Sequence, residues 1–371
     1  MRTKILTIGM VAMMGLASCS KNEEVRVPKQ DGMIEFNVTS NKAIVRAPVE
    51  SSSGMQGKSF NVWAYETDDP TKQFIGESNN PLAVTYDATT SLWKLTIDKY
   101  WPADVDKKFD FYAIWPSDQY HNNTSIIGSA QTLAYAQSVY LDAGTEINDL
   151  MYAIVKGKSK ATATGNKVML YFKHALSQVK FKGKIAQRNP QLKVSIKSLE
   201  IRNLKSSGNF SFPSVTTGAG SAQGAWGSHG GKRNFGGSLA ANVEVQDLTN
   251  AVDIGTPFLL VPQVFTPWST TAGAPVNIAQ ADLNGEVYLK MEVHITQNGE
   301  DLLGTTGSYA MTYVPLPNPT SDNGFVPGKK YLYTLKFGGG KKDDGTDQLA
   351  PITFEVDVEE WGDPNEGDVE L

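Results

Sequence analysis

Apolar and polar residues alternate along this chain in short runs, and this period of two is the feature that most limits its fold. The clearest runs place Ile34, Phe36 and Val38 near the start of the chain and Ile352, Phe354, Val356 and Val358 near its end. Successive side chains of a β-strand point to opposite faces, so such runs indicate strands with one buried face. No window beyond about a dozen residues keeps the period of a helix, and we therefore expect an all-β protein with little helix.

The length and the turn signals predict two domains. Clusters of Gly, Pro, Asn, Asp and Ser divide the alternating runs, and many short strands divided by turns are typical of antiparallel β-sandwiches. The 371 residues exceed what one core usually supports. Because the polar segment 186–190 interrupts two apolar runs, we place an N-terminal β-sandwich domain at 34–184 and a C-terminal one at 191–371. The segment 216–237, rich in Gly, Ser and Ala, predicts a long mobile loop in the second domain.

The first residues are typical of an export signal. Arg2 and Lys4 precede an apolar stretch at 5–17, which small residues follow. This stretch is shorter than the roughly 20 apolar residues that a membrane-spanning helix needs. We therefore expect a lipoprotein signal peptide at 1–18, with a linker at 19–33 after it.

Cys19 is the only cysteine of the chain. The sequence Leu16-Ala17-Ser18-Cys19 resembles the lipobox of bacterial lipoproteins, in which the cysteine is acylated and becomes the first residue. The acidic residues that follow it resemble the signal that sends lipoproteins of Bacteroidetes to the outer leaflet. We expect acyl chains on Cys19 to anchor the protein to the outer membrane. The alternative is a buried thiol in an uncleaved cytosolic protein.

Composition and motifs argue against several function classes. The net charge is −5 and Lys and Arg do not cluster, which does not suit a nucleic-acid partner. A lone cysteine allows neither an internal disulfide nor a cysteine-rich metal site. The motifs of zinc proteases, serine hydrolases and P-loop proteins are missing, and the four histidines are widely spaced. We expect no enzymatic activity, no metal site and no cofactor.

Several aromatic-rich motifs are spread over most of the chain. The most specific is the F-x-H-A-L-S-x-V-x-F string at 172–181. The others are Tyr100-Trp101-Pro102 and the segments 109–113, 148–153, 260–263 and 325–333, together with a closing strand that ends in Trp361. These motifs resemble the fimbrillin family of Bacteroidetes, which comprises the type V pilins and their fimbrillin-like relatives.

This resemblance implies two tandem transthyretin-like β-sandwich domains of Greek-key topology and a place in a fimbrium at the cell surface. In that family an arginine-specific protease cuts the N-terminal domain and the first strand is lost. A C-terminal strand from another subunit then fills the groove, which is β-augmentation used for assembly. The protein would be a pilus subunit, or an accessory, tip or anchor component, with other pilus subunits as its partners and adhesion as its role.

The resemblance implies a cleavage between Arg46 and Ala47. Arg46 follows the first candidate strand and precedes the polar segment 51–54, and exposed polar segments tolerate proteolysis. The released strand would carry the apolar face of Ile34, Phe36 and Val38. The alternative is that Arg46 is an ordinary loop residue.

The alternating run near the C-terminus is the candidate donor strand. It presents Ile352, Phe354, Val356 and Val358 on one face, whereas Val369 and Leu371 are the only apolar residues of the acidic tail at 362–371. This pattern fits either a pilin with an atypical donor or an accessory, tip or anchor subunit that exchanges a strand at one end only. The alternative is the last strand of the second sandwich followed by a disordered tail.

A second function remains open on the sequence alone, that of a non-polymerising surface lipoprotein that binds host or bacterial glycans. Exposed aromatic rings offer flat apolar faces that suit sugar rings. Trp226 and Trp268, which have Gly, Pro or Ser beside them, are the candidates for ligand contact in loops. Tryptophans in or beside candidate strands are expected in the core.

Overall fold

A computed structural model describes residues 32–39, 52–78, 80–117, 132–136, 149–186, 191–218, 220–269, 277–319, 322–341 and 347–360. Cys19, Arg46 and Ala47 lie outside the described residues, and so does the segment that follows Glu360. Within the described part, neither helix is long and apolar enough to cross a bilayer.

The described residues form many strands and little helix, which confirms the all-β prediction. The strands are β1 (Glu35–Thr39), β2 (Phe60–Glu66), β3 (Gln73–Ile75), β4 (Leu82–Asp87), β5 (Leu92–Leu95), β6 (Phe109–Trp115), β7 (Thr132–Ala136), β8 (Met151–Lys158), β9 (Lys167–Tyr171), β10 (Lys173–His174), β11 (Ser177–Ile185), β12 (Leu192–Ser211), β13 (Ala225–Val245), β14 (Val252–Leu260), β15 (Tyr288–Gln297), β16 (Glu300–Leu303), β17 (Ala310–Pro315), β18 (Lys329–Lys341) and β19 (Asp347–Glu360). The helices are α1 (Ser52–Met55) and α2 (Ile278–Asn284), with a 3-10 turn at Lys160–Thr162.

The first sheet folds over a core of its own. Its strand order is β10-β8-β6-β2-β4-β5-β1-β9, with β3 on β2. All its pairs are antiparallel except that of β1 with β9, which is parallel. Apolar side chains of β1, β2, β5, β6, β8 and β9 share one buried cluster, so the β1 end of the sheet packs against its β2–β6–β8 part as a second layer.

The second core lies between two further sheets. One has the order β14-β11-β18-β19, and the other has the order β13-β12-β15-β16, with β17 on β15 and β7 on β12. Phe181 of β11 and Leu335 of β18 share a buried cluster with Ile196 of β12 and Met291 of β15. The inner faces of these two sheets therefore form the layers of a sandwich.

The chain changes from the first core to the second core between β10 and β11. The sequence analysis places residues 177–184 in the N-terminal domain 34–184. In the structure these residues belong to β11, which pairs with β14 and β18, and its Val179 and Phe181 belong to the second core. Likewise, β7 pairs with β12. An alternating pattern indicates which face of a strand is buried but not which strand lies beside it, so the pattern does not show that β11 joins the second core.

The prediction of a mobile loop over 216–237 is wrong for most of that segment, because β13 covers 225–245. The β12–β13 pairing shifts register at three places, and the shift between Ser207 and Asn209 lies opposite Gly230 and Gly227. Gly236 has a φ of 105°, and a Cβ there would lie 2.3 Å from the carbonyl oxygen of Leu199. Glycine-rich composition therefore marks an irregular strand here rather than a linker.

A third apolar cluster joins the two cores. We call the strands around the first core the first unit and those around the second core the second unit. Trp63, Tyr112 and Tyr152 point away from the first core and pack with Phe210 and Leu259 of the second unit. The rings of Tyr152 and Phe210 lie 4.8 Å apart. Because β2, β6 and β8 are buried on both faces, their sequences are apolar runs without clear alternation.

Candidate functional site

The first strand lies between two neighbours of the same sheet. All five residues of β1, Glu35–Thr39, are in parallel register with Lys167–Tyr171 of β9. On the other side, Glu35 and Phe36 pair antiparallel with Lys94 and Trp93 of β5. We call the space between β5 and β9 that β1 fills the β1 slot.

The pairing of the first strand continues upstream of β1. The N–H of Ile34 donates to the carbonyl of Lys99 at 2.8 Å, and the N–H of Trp101 donates to the carbonyl of Gly32 at 2.8 Å. The segment after β5 therefore extends that wall of the β1 slot. Loss of the first strand would leave backbone donors and acceptors unpaired on both walls.

The side chains that the sequence assigns to the released strand fill the first core. Ile34 is 2% exposed and Phe36 is fully buried, while Val38 is partly buried against the same cluster. The ring of Phe36 meets the rings of Phe60 and Phe111 edge-on, with centroids 6.0 Å and 6.3 Å away. Burial of such side chains contributes about 1.5–3 kcal/mol each, so an empty β1 slot would expose a strongly apolar surface.

Two lysines stand in register with Glu35, one on each wall of the β1 slot. Glu35 is 5% exposed and stands in register between Lys94 and Lys167. The ammonium of Lys94 also lies 2.8 Å from a carboxylate oxygen of Asp87. That ammonium and the hydrogen bonds from Thr90 and Thr89 hold the pKa of Asp87 below its usual range. The Lys94 ammonium is thus already paired with Asp87 beside the β1 slot.

The candidate donor strand is part of the second sandwich. Strand β19 pairs with β18 from Lys329 opposite Glu360 to Lys341 opposite Asp347. All four of its candidate donor side chains, Ile352, Phe354, Val356 and Val358, pack partly buried against the second core. The ring of Phe354 meets that of Tyr333 edge-on at 6.3 Å. The strand therefore belongs to the second sandwich rather than to the β1 slot, and among the described strands it lies at the edge of its sheet.

Glu355, on the outer face of β19, forms ion pairs with two lysines. A carboxylate oxygen of Glu355 lies 2.7 Å from the ammonium of Lys184, and Lys336 contacts the other oxygen. These two hydrogen-bonded ammonium groups hold the pKa of Glu355 below its usual range. Charged side chains on an edge strand discourage pairing with other chains.

The two candidate tryptophans are tied into the protein. Trp226 is half-buried at the start of β13, and its indole N–H donates to the carbonyl of Ala175 at 2.6 Å. Trp268 is 6% exposed and packs edge-on against Tyr288. Trp268 therefore presents almost no ring face to solvent, and the polar group of Trp226 is used inside the molecule.

The structure adds two residues that the sequence does not single out as site residues. Trp101 donates a hydrogen bond to Asn166 before the first residue of β9, and Thr217 donates one to Tyr171 at its last residue. Trp101 lies in an aromatic motif, which is a signal that could have identified it, whereas Thr217 lies in a segment whose composition indicates a loop. Among the described residues, no group of three His, Cys, Asp or Glu side chains is placed to hold a metal ion.

Comparison with known proteins assigns the chain to a family. No curated protein matches it by sequence, but the sequence profile of the fimbrillin-like family matches residues 46–361. Among solved structures, a fimbrial protein from Bacteroides vulgatus is similar, with 18% identity, a TM-score of 0.57 and coverage of 88% of this chain and 99% of that chain. A candidate cell adhesion protein from Parabacteroides distasonis shows 10% identity, a TM-score of 0.50 and coverage of 90% and 98%. At these identities the structural likeness shows the fold alone. From the span of the profile match, the chain belongs to the fimbrillin-like family of fimbrial structural proteins, which are not enzymes.

Proposed function

We propose that this protein is a fimbrial subunit that exchanges its first strand for a strand of another subunit. The observation that carries the proposal is the position of β1, which lies between β5 and β9 and buries Ile34 and Phe36 in the first core. An incoming strand of similar alternation would restore both the hydrogen bonds and the apolar burial. Exchange therefore conserves most of the free energy that loss of β1 would cost.

The proposed release step is a cut between Arg46 and Ala47. Strand β1 ends at Thr39 and α1 begins at Ser52, so a cut between them separates β1 from every other strand. The same cut would free the protein from a lipid anchor on Cys19. Export as a lipoprotein and arrival in the fimbrium would thus be consecutive stages of one maturation.

We further propose that the protein accepts a strand but does not donate one, which places it at one end of a fimbrium as a tip, anchor or accessory subunit. The support is that β19 pairs with β18 and packs its four apolar side chains on the second core. Donation of β19 would uncover that core. As part of an assembled fimbrium the subunit would support adhesion.

The test treats the full chain carrying Cys19→Ser with an arginine-specific protease, with Arg46→Ala as the control. We expect a product that begins at Ala47 and takes up a synthetic peptide copying residues 32–41, and no multimer ladder from this protein alone. The Arg46→Ala protein should stay uncut and take up no peptide. Failure of the cut product to bind the peptide would contradict strand acceptance. A ladder formed by this protein alone would contradict the assignment to one end of the fimbrium.

A further inference from the structure

One wall of the β1 slot depends on β1 for its strand pairing. In the described part of the chain, β9 lies at the end of the strand order and forms its ladder with β1 alone. Its Val168 and Leu170 are fully buried in the first core. When β1 leaves, β9 therefore keeps its apolar contacts but loses the hydrogen bonds that fix its distance from β5.

The side chain of Trp101 contacts the first end of β9 directly, whereas the backbone N–H of Trp101 donates to the carbonyl of Gly32 and loses that bond when the first strand leaves. The indole N–H of Trp101 donates to the carbonyl of Asn166, directly before β9, at 3.2 Å. The ring is 6% exposed and packs against Phe109 and Phe111, with centroids 6.2 Å and 5.9 Å away. Because Trp101 belongs to the segment that extends the β5 wall, its side chain bridges the two walls of the β1 slot.

Thr217 holds the other end of β9, and it comes from the connection between β12 and β13 in the second unit. Its hydroxyl donates to the carbonyl of Tyr171, the last residue of β9, at 2.7 Å. The same hydroxyl accepts from the N–H of Ile154 at 3.0 Å, and the N–H of Thr217 donates to the carbonyl of Ile154 at 2.9 Å. Thr217 is 1% exposed, so these bonds are shielded from water.

The connection that carries Thr217 is fixed at further points. The N–H of Lys156 donates to the hydroxyl of Thr216 at 2.9 Å. The N–H of Gly224 donates to the hydroxyl of Tyr152 at 2.7 Å, and that hydroxyl donates to the side-chain carbonyl of Gln223 at 2.9 Å. None of these bonds involves β1, so they remain when the first strand leaves.

We propose that Trp101 and Thr217 are positioning residues that keep the β1 slot open at the width of one strand after β1 has left. This inference rests on the proposed strand exchange and adds that the second unit prepares the slot in the first. A slot that is already formed spares the incoming strand the cost of ordering β9, which raises affinity. Without the two contacts, β9 is expected to move into the vacated space.

The test uses the full chain carrying Cys19→Ser and a site-specific protease sequence placed between Arg46 and Ala47. The protein is cut there and then mixed with an excess of a fluorescent peptide copying residues 32–41. Peptide affinity is measured for the parent, for Trp101→Phe and for Thr217→Val. Hydrogen exchange of the β9 amides is followed in cut and uncut protein.

Two matched controls are available. Thr217→Ser keeps the hydroxyl and should behave like the parent. Trp115→Phe makes the same reduction of a buried ring in the first core but removes an indole N–H that has no hydrogen-bond partner among the described residues, so it should weaken peptide binding less than Trp101→Phe does.

We expect Trp101→Phe and Thr217→Val each to weaken peptide binding about three- to tenfold, as loss of one or two hydrogen bonds implies. Hydrogen exchange of the β9 amides should be faster in the cut variants than in the cut parent. In the uncut variants its rate should match that of the uncut parent, because β1 still pairs with β9. That difference separates positioning from a general loss of stability. If the cut parent binds the peptide and both variants match it in affinity and exchange, this inference is overturned while strand acceptance stands. If the cut parent takes up no peptide, strand acceptance and this inference both fall.

Discussion

The ring of Phe36 lies edge-on to the ring of Phe60, with 6.0 Å between centroids and 86° between ring planes. Phe36 belongs to the short strand β1, and Phe60 opens the central strand β2. Edge-to-face pairs contribute about 0.5–1.5 kcal/mol beyond the burial of the rings. One five-residue strand therefore closes the first core, which is why its loss and replacement would be consequential events for the subunit.

Phe36→Ala should lower the free energy of unfolding by about 3–5 kcal/mol, because a fully buried aromatic side chain leaves a cavity. Val38→Ala, at a partly buried position of the same strand, is the matched control and should cost about 1 kcal/mol. Urea unfolding followed by tryptophan fluorescence measures both. Equal losses for the two variants would show that β1 is not anchored through Phe36.

Phe354→Ala tests whether β19 is a resident strand of the second sandwich. Because Phe354 is partly buried against the second core, we expect a loss of about 2–3 kcal/mol in the free energy of unfolding. Glu355→Gln on the opposite face should change it by less than about 1 kcal/mol, since that ion pair is half exposed. An unfolding curve for Phe354→Ala that overlays the parent would instead favour β19 as a free donor.

Gly236→Ala should destabilise the β12–β13 pairing. The added Cβ would meet the carbonyl oxygen of Leu199 at 2.3 Å, and the φ of 105° is strained for any side chain. We expect a loss of about 1–3 kcal/mol, with faster hydrogen exchange along β13. Gly227→Ala is the control, because its Cβ would meet nothing within 4 Å. Equal stability of the two variants would contradict the close approach of β12 to β13 at Gly236.

The buried tyrosines Tyr112, Tyr288 and Tyr333 should ionise at a higher pH than exposed tyrosines. Burial raises the pKa of Tyr288 to about 12, and the hydrogen bond to Asp282 adds to the effect. Burial also raises the pKa of Tyr112 and of Tyr333. An unfolded tyrosine has a pKa of about 10. The contribution of these protonated tyrosines to the free energy of unfolding is therefore complete below about pH 10, and it is lost as the pH rises toward their pKa in the folded protein.

The measurement for this pH dependence is the ultraviolet absorbance of phenolate. A first group of tyrosines should ionise near pH 10 and a later group only at or above about pH 12. Tyr288→Phe should remove one tyrosine from the later group. Loss of one tyrosine from the early group instead would show that Tyr288 is accessible in the folded protein.

Trp226→Phe tests the contact between the two units. It removes the indole N–H that donates to the carbonyl of Ala175, so the free energy of unfolding should fall by about 0.5–1.5 kcal/mol. Differential scanning calorimetry measures the change. Glycan-array binding that disappears in Trp226→Ala would instead restore the glycan-binding alternative.

The sequence by itself determines the all-β class and the inward faces of individual strands. Alternation correctly predicts that Ile34 and Phe36 are buried, since strand geometry alone fixes which side chains share a face. It also identifies the aromatic motifs that resemble the fimbrillin family. Trp101 lies in one of them, although its hydrogen bond to Asn166 cannot be read from a motif.

Only the tertiary structure decides the neighbours of each strand. Residues 34–38 and 352–356 carry the same Ile-x-Phe-x-Val pattern, yet β1 lies between two strands in the first core and β19 lies at an edge of the second. Thr217 acquires its role because the β12–β13 connection reaches Ile154 and Tyr171 in the first unit. Pairing between distant segments depends on which surfaces meet when the whole chain packs, and a local period of two carries no information about that choice.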